Sequence, residues 1–188
     1  MTMRRIVITG GAGFIGSHVT GHILKTYPNA QVAVIDKFPY AGHSENVSEV
    51  DPHDRVELRF GDICSPAAWE DSLIGADLVV HMAAESHVDR SFEDPSIFTR
   101  TNVLGTEAVL MACRKRCVKR LIHVSTDEVY GECAEGLCNE NSPLQPTNPY
   151  SASKAAAEMM VIACHHSWKI PVSIVRSNNV FGVRQFPE

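Results

Sequence analysis

Tyr150 and Lys154 stand four residues apart in Tyr150-Ser151-Ala152-Ser153-Lys154. On a helix that spacing puts both side chains on one face. An ammonium beside a phenol lowers the phenol's pKa, so the phenol can act as a base near neutral pH. Upstream, Ser125-Thr126-Asp127-Glu128-Val129-Tyr130-Gly131 follows an apolar run and offers the Thr126 hydroxyl and two adjacent carboxyls, Asp127 and Glu128. Oxidising an alcohol needs one base, which Tyr150 and Lys154 would supply. Two more carboxyls at the same place point to a further proton transfer, such as loss of water. Asp127, Glu128, Tyr150 and Lys154 are therefore the candidate catalytic residues, with Thr126 beside them. Tyr130 is expected to pack in the core rather than serve as a second phenol.

The elements that must carry these residues follow from the apolar pattern. Short β-branched runs predict strands over Arg5–Thr9, Gln31–Asp36, Val56–Phe60, Leu78–His81, Arg120–Ser125 and Val172–Arg176. Helical patterns lie between them, over Phe14–Lys25, Ala67–Leu73, Ile97–Arg116 and Tyr150–Ser167, with polar loops over 37–54 and 132–149. The 37–54 loop has room for a short helix. Strands that alternate with helices and are apolar throughout predict a parallel sheet covered on both faces. The expected fold class is α/β, doubly wound, with ligands at the carboxyl ends of the strands.

The first strand runs into Gly10-Gly11-Ala12-Gly13-Phe14-Ile15-Gly16, which fits both G-x-x-G-x-x-G and G-x-G-x-x-G. Such glycines allow a tight turn and let backbone approach a pyrophosphate at a helix N-terminus. Asp36, 20 residues beyond Gly16, closes the second strand. Its carboxylate would accept hydrogen bonds from a ribose and repel a 2′-phosphate, so the expected cofactor is NAD. Lys37 beside it keeps an NADP reading open. Asp62 in Gly61-Asp62-Ile63 could face the adenine edge, or could be a turn residue. Ala83 and Ala84 follow the fourth strand, where small side chains permit close approach. Asn102 is a mid-helix Asn, a position that is usually exposed.

At 188 residues the chain suffices for one domain with a sizeable core. A net charge of −5 gives no basic footprint, so no nucleic-acid partner is expected. No apolar run is long enough to span a bilayer, and no signal peptide is evident before the first strand, so a cytoplasmic location is expected. Cys64, Cys113, Cys117, Cys133, Cys138 and Cys164 lack the paired C-x-x-C spacing of a zinc site and are expected to be free thiols. No metal is expected, and His165-His166 reads as a solvated helix face.

Together these residues resemble the extended short-chain dehydrogenase/reductase superfamily and, within it, the nucleoside-diphosphate-hexose 4,6-dehydratases. The resemblance runs from Ile6 to Glu188. It rests on Ile8–His18, Ala83–Ser91, Ser125–Gly131, Pro146–Glu158 and Arg176–Gly182. Thr-Asp-Glu before Val-Tyr-Gly is the discriminating part, because related epimerases and decarboxylases usually lack the acid pair. The resemblance implies a Rossmann-type NAD-binding domain over 1–188, with Gly10, Gly13, Phe14, Ile15, Gly16, Asp36, Lys37, Asp62, Ile63, Ala83, Ala84, Asn102, Ser125, Tyr150, Lys154 and Asn178 against the cofactor. It places Ser86, His87 and Asn179, with Thr126, Asp127 and Glu128, against a nucleoside-diphosphate sugar, dTDP-glucose first.

The implied reaction oxidises carbon 4, removes water across carbons 5 and 6, and returns the hydride. The alternatives are a UDP-glucose 4,6-dehydratase, a 4-epimerase or decarboxylase, or a non-catalytic NAD-binding fragment. Members of the family continue into a C-terminal substrate region, which this chain is expected to lack in large part, so that it would turn over little alone. A homodimer is implied through Ile97–Arg116 and Tyr150–Ser167, the latter offering Ala155, Ala156, Met159, Ile162 and Ala163.

Overall fold

The computed structural model describes residues 3–51, 53–132 and 136–186. Six strands, β1 (Arg5–Thr9), β2 (Gln31–Asp36), β3 (Val56–Phe60), β4 (Leu78–His81), β5 (Leu121–Thr126) and β6 (Val172–Ser177), form one sheet. Its order is β3-β2-β1-β4-β5-β6, and every pairing is parallel. Sequence order reverses between β1 and β4, where α/β sheets open a crevice at the strand ends. This is the doubly wound, Rossmann-type arrangement.

Alternate residues of one strand serve opposite cores, as a two-residue repeat requires. Ile6, Ile8, Val32, Val34, Leu78 and Val80 pack with Ile23 and Leu24 of helix α1 (Phe14–Thr26) and with Val47 of the short helix α2 (Ser44–Ser48). Val7, Ala33, Ile35 and Val79 face the other way. They meet Trp69, Leu73, Val109 and Leu110 of α5 (Gly105–Lys115), and Val161 and Cys164 of α6 (Pro149–Trp168). The central strands are therefore buried on both sides, whereas the edge strands β3 and β6 are only partly covered.

Two helical expectations are corrected. The stretch 67–73 forms two 3-10 turns, Pro66–Ala68 and Glu70–Leu73. They hinge at a fully buried Trp69 whose Nε1 donates to the Asp62 carbonyl at 2.8 Å. The expected single helix 97–116 is three pieces: α4 (Pro95–Phe98), a π-helical segment Thr99–Leu104, and α5. A further helix, α3 (Val88–Glu93), precedes α4. The apolar period alone cannot register a wider turn, and π-helical insertions occur disproportionately at functional sites.

Candidate functional site

One cleft runs over the carboxyl ends of β1, β2, β4, β5 and β6. Its first half is largely backbone. Gly10 has φ 72° and sits so close to the loop after β4 that a Cβ there would stand 2.6 Å from the Ala83 nitrogen. A Cβ on Gly16 would lie 2.1 Å from the Gly10 carbonyl oxygen. These contacts seat α1 directly behind the turn. Helix α1 begins at Gly13 with no side-chain cap and no acidic residue in its first turn. Its first N–H groups, beside Phe14 and Ile15 in the cleft wall, have no intrahelical acceptors. Such a terminus favours an anion.

At the end of β2, Asp36 is buried and lines the cleft. Its Oδ2 accepts from the Ala12 N–H at 3.1 Å and its Oδ1 from the Phe38 N–H at 2.9 Å. Burial pushes its pKa above the ordinary carboxylate value, against the pull of those bonds and of Lys37. The Lys37 ammonium is paired with Glu85 at 3.1 Å. Gly61, Ile63, Ala83 and Ala84 line the cleft. Asp62 holds a local turn: its Oδ1 accepts from the Cys64 N–H at 2.8 Å.

Asn102 is 1% exposed, against the surface position expected of a mid-helix Asn. Its amide accepts from the Glu85 N–H at 2.8 Å and donates to the Glu85 carbonyl at 3.0 Å and to Ser153 Oγ at 2.8 Å. It thus clamps the loop that carries Ala83 and Ala84. The π-helical turn brings it inward. A glycine turn without Cβ atoms, an uncapped helix start and a buried carboxylate at the end of β2 form a cradle into which a dinucleotide fits.

The second half is made of side chains. Ser125 and Thr126 end β5, and a 3-10 turn, Asp127–Tyr130, follows at once. Thr126 caps that turn: its Oγ1 accepts from the Glu128 N–H and donates to Asp127 Oδ1, both at 3.3 Å. Glu128 lines the cleft with Ser125, Thr126, Tyr150 and Lys154, and the adjacent Asp127 carboxylate accepts from Thr126 Oγ1. Helix α6 starts at a capping box between Asn148 and Ser151. The Asn148 amide also donates to Glu128 Oε2 at 3.1 Å. One residue thereby fixes both the helix that carries Tyr150 and the carboxylate opposite it. Its signal was present in the sequence, as an Asn before Pro with Ser three residues on, but its bond to Glu128 was not.

The electrostatics correct one expectation. Burial pushes the Tyr150 phenol up to about 12, the hydrogen bond to Thr126 opposes this, and Glu128 and Asp127 add to it. Lys154 does not lower it, because its ammonium is turned to the Val124 carbonyl, 2.7 Å away. Lys154 is itself lowered to about 8, chiefly by burial. Beneath it lie two buried imidazoles. His81 bonds Thr9 Oγ1 at 2.7 Å and Thr106 Oγ1 at 2.9 Å, and its pKa falls to about 3 through burial and then the charge of Lys154. His123, 5.3 Å from it, is held well below its ordinary value by burial, Lys154 and His81.

Ser86, His87, Asn178 and Asn179 also line the cleft, with the His87 ring 5.1 Å from that of Tyr40. Tyr130 is drawn aside. Its hydroxyl accepts from Arg176 at 2.6 Å, and the same guanidinium donates to the fully buried Glu158 carboxylate at 2.6 Å. This network, which no local pattern announces, ties β6 to α6 and to the turn after β5. The free-thiol expectation holds at Cys64, Cys113, Cys117 and Cys164 but not at Cys138, which is disulfide-bonded. Cys133 lies outside the described residues. Among the described residues, no helix is long and apolar enough to cross a membrane.

The comparisons agree with this architecture. A dTDP-glucose 4,6-dehydratase of Streptomyces griseus is 44% identical over 185 residues, covering 97% of this chain and 56% of the relative. A trifunctional UDP-glucose 4,6-dehydratase/3,5-epimerase/reductase of Arabidopsis thaliana is 44% identical over 193 residues, 100% of this chain and 29% of its own length. The crystal structure of the Streptomyces venezuelae dTDP-glucose 4,6-dehydratase DesIV, solved with NAD bound, superposes with a TM-score of 0.92 at 44% identity, over 97% of this chain and 58% of that one. The chain thus spans little more than half the length of these single-function relatives. The family model of GDP-mannose 4,6 dehydratase matches residues 7–188. With that match running through the glycine turn, the Thr126–Glu128 turn and the Tyr150–Lys154 helix, the chain belongs to the GDP-mannose 4,6 dehydratase family.

Proposed function

We propose that residues 1–188 form an NAD-binding domain that carries the reacting groups for dehydrating a nucleoside-diphosphate hexose, dTDP-glucose first, to the 4-keto-6-deoxy sugar. The observation that carries this reading is the Glu128 carboxylate, fixed by Asn148, in the same cleft wall as Tyr150 and Lys154. When bound, NAD supplies a hydride acceptor that later serves as donor, so the sugar suffers no net redox change. Tyr150 takes the proton of the carbon 4 hydroxyl, assisted by Thr126. A phenol raised to about 12 keeps its proton at rest, so this step needs positive charge nearby. Lys154, one turn along α6 and with a pKa of about 8, is still mainly an ammonium at neutral pH. A ketone at carbon 4 acidifies the carbon 5 proton. Glu128 takes that proton, Asp127 gives one to the departing carbon 6 hydroxyl, and water leaves. Asp36 and the first turn of α1 would hold the ribose and pyrophosphate, and Ser86, His87 and Asn179 the sugar nucleotide.

A 4-epimerase would use Tyr150 and Lys154 but leave the acid pair idle. The test is to give the whole protein dTDP-glucose and UDP-glucose and to weigh the product. A product lighter by one water supports the reading, and a 4-epimer of unchanged mass overturns it. In Glu128→Gln the first oxidation should persist while water loss slows by about 10²–10⁴-fold. Calorimetry should find NAD bound more tightly than NADP.

A homodimer through α5 and α6 belongs to the same reading. It is supported by Met159, 49% exposed on α6, beside an exposed Ala163, although Ala155 is buried against the domain. A monomer in sedimentation at micromolar concentration would refute it. A cytoplasmic location is also part of the proposal. Cell fractionation checks it.

A further inference from the structure

Lys37 directly follows Asp36 and lines the same end of the cleft. A cation there is what a 2′-phosphate would use. Among the described cleft-lining residues the only other Lys or Arg is Lys154, which is buried at the far end and bonded to the Val124 carbonyl. Whether the cleft accepts a phosphorylated ribose therefore turns on what Lys37 is doing.

Its ammonium is 3.1 Å from Glu85 Oε1, and the Glu85 side chain is only 5% exposed against 29% for Lys37. The bond spans β1, from the end of β2 to the loop after β4. The main chain of Glu85 is held in place. Asn102 bonds both of its main-chain groups, at 2.8 and 3.0 Å, and is itself anchored to Ser153 of α6 at 2.8 Å. A phosphate that drew Lys37 away would leave a buried carboxylate uncompensated, which is strongly unfavourable.

We infer that Glu85 is a cofactor-selecting residue: by holding Lys37 in a clamped ion pair, it withholds the cation that a 2′-phosphate at the end of β2 would need. Asp36 repels the phosphate and Glu85 removes its counter-charge. The inference deepens the NAD reading and rests on it.

The test is calorimetry of NAD and NADP on the 188-residue chain, with thermal melts to confirm folding. The wild-type chain should favour NAD. Glu85→Gln keeps the shape but frees the ammonium to bond the 2′-phosphate. One such charge-assisted hydrogen bond should lower the ratio of Kd for NADP to Kd for NAD about tenfold. Adding Lys37→Met to Glu85→Gln should restore the wild-type ratio. If Glu85→Gln does not melt cooperatively, Glu85→Ser frees the same ammonium and carries the same expectation. An unchanged ratio in a folded, NAD-binding Glu85 variant overturns the inference. So does an improvement that survives Lys37→Met, because the effect would then be loss of negative charge alone. A wild-type chain that binds no NAD defeats the reading of the cleft itself, and the inference with it.

Discussion

On the β1–α1 side of the cleft the groups that face a ligand are mostly backbone: the turn at Gly10, the first N–H groups of α1, and the small residues Ala83 and Ala84. On the β5–α6 side they are the side chains of Thr126, Glu128, Tyr150 and Lys154, carried by separate elements and joined by Asn148. On the first side a Cβ at Gly10 or Gly16 would run into backbone, whereas the second side presents functional groups. If binding belongs to one side and the proposed chemistry to the other, substitutions on either side test that division.

The largest effect should follow Tyr150→Phe. In the whole protein the rate of carbon 4 oxidation should fall by about 10²–10⁴-fold, while calorimetry finds dinucleotide affinity little changed. Loss of affinity in the same measure would dissolve the distinction between the halves. Gly16→Ala tests the other side. Its Cβ would meet the Gly10 carbonyl oxygen at 2.1 Å, a backbone atom that cannot rotate away. Melting should show a loss of about 3 kcal/mol or more, with dinucleotide binding abolished. A wild-type melting temperature would show the turn to be soft.

Acid should weaken the two halves unequally, because His81 and His123 sit beside Lys154 on the β5–α6 side. The folded-state pKa of His81 is lowered to about 3, so the unfolded chain takes up the proton first as pH falls. Its contribution to stability is whole above the unfolded pKa of about 6.5 and is lost as pH drops toward 3. From pH 7 to pH 5 this amounts to about 2 kcal/mol for His81, and His123 acts in the same direction. Once corrected for the slower intrinsic exchange in acid, hydrogen-exchange protection at pH 5 should fall in β4 and β5 before β1 and β2. His123→Leu, which removes two buried ring nitrogens without partners, should flatten the dependence. A pH-independent melt over this range would refute the assignment.

The smallest effect concerns Asn148. Asn148→Ala removes the cap of α6 and should cost about 1 kcal/mol in a chemical melt. Asn148→Ser keeps a capping oxygen but not the reach to Glu128. Its melt should stay near wild type while water loss slows and the first oxidation does not. Wild-type water loss in a folded Asn148→Ser variant would mean that Asn148 acts only as a cap.

The sequence by itself determined the strands and the order in which candidate groups arrive. Arg5–Thr9, Gln31–Asp36, Val56–Phe60 and Leu78–His81 have the bounds expected of them: three hold the continuous apolar runs of buried parallel strands, and the edge strand Val56–Phe60 alternates apolar with charged residues. The glycine turn was legible because its spacing is a local requirement of one turn and one helix. The tertiary structure alone decided how the charges pair. The link from Lys37 to Glu85 crosses β1, Arg176 reaches Glu158 and Tyr130 from β6, and Asn102 turns inward on a π-helical segment. It also decided that the Tyr150 phenol rises rather than falls, because burial outweighs a lysine turned toward Val124. Periodicity records which face of an element is apolar. Desolvation and ion pairing depend on which elements meet, and residues separated by 17 to 51 positions in these networks have no local signature of their meeting.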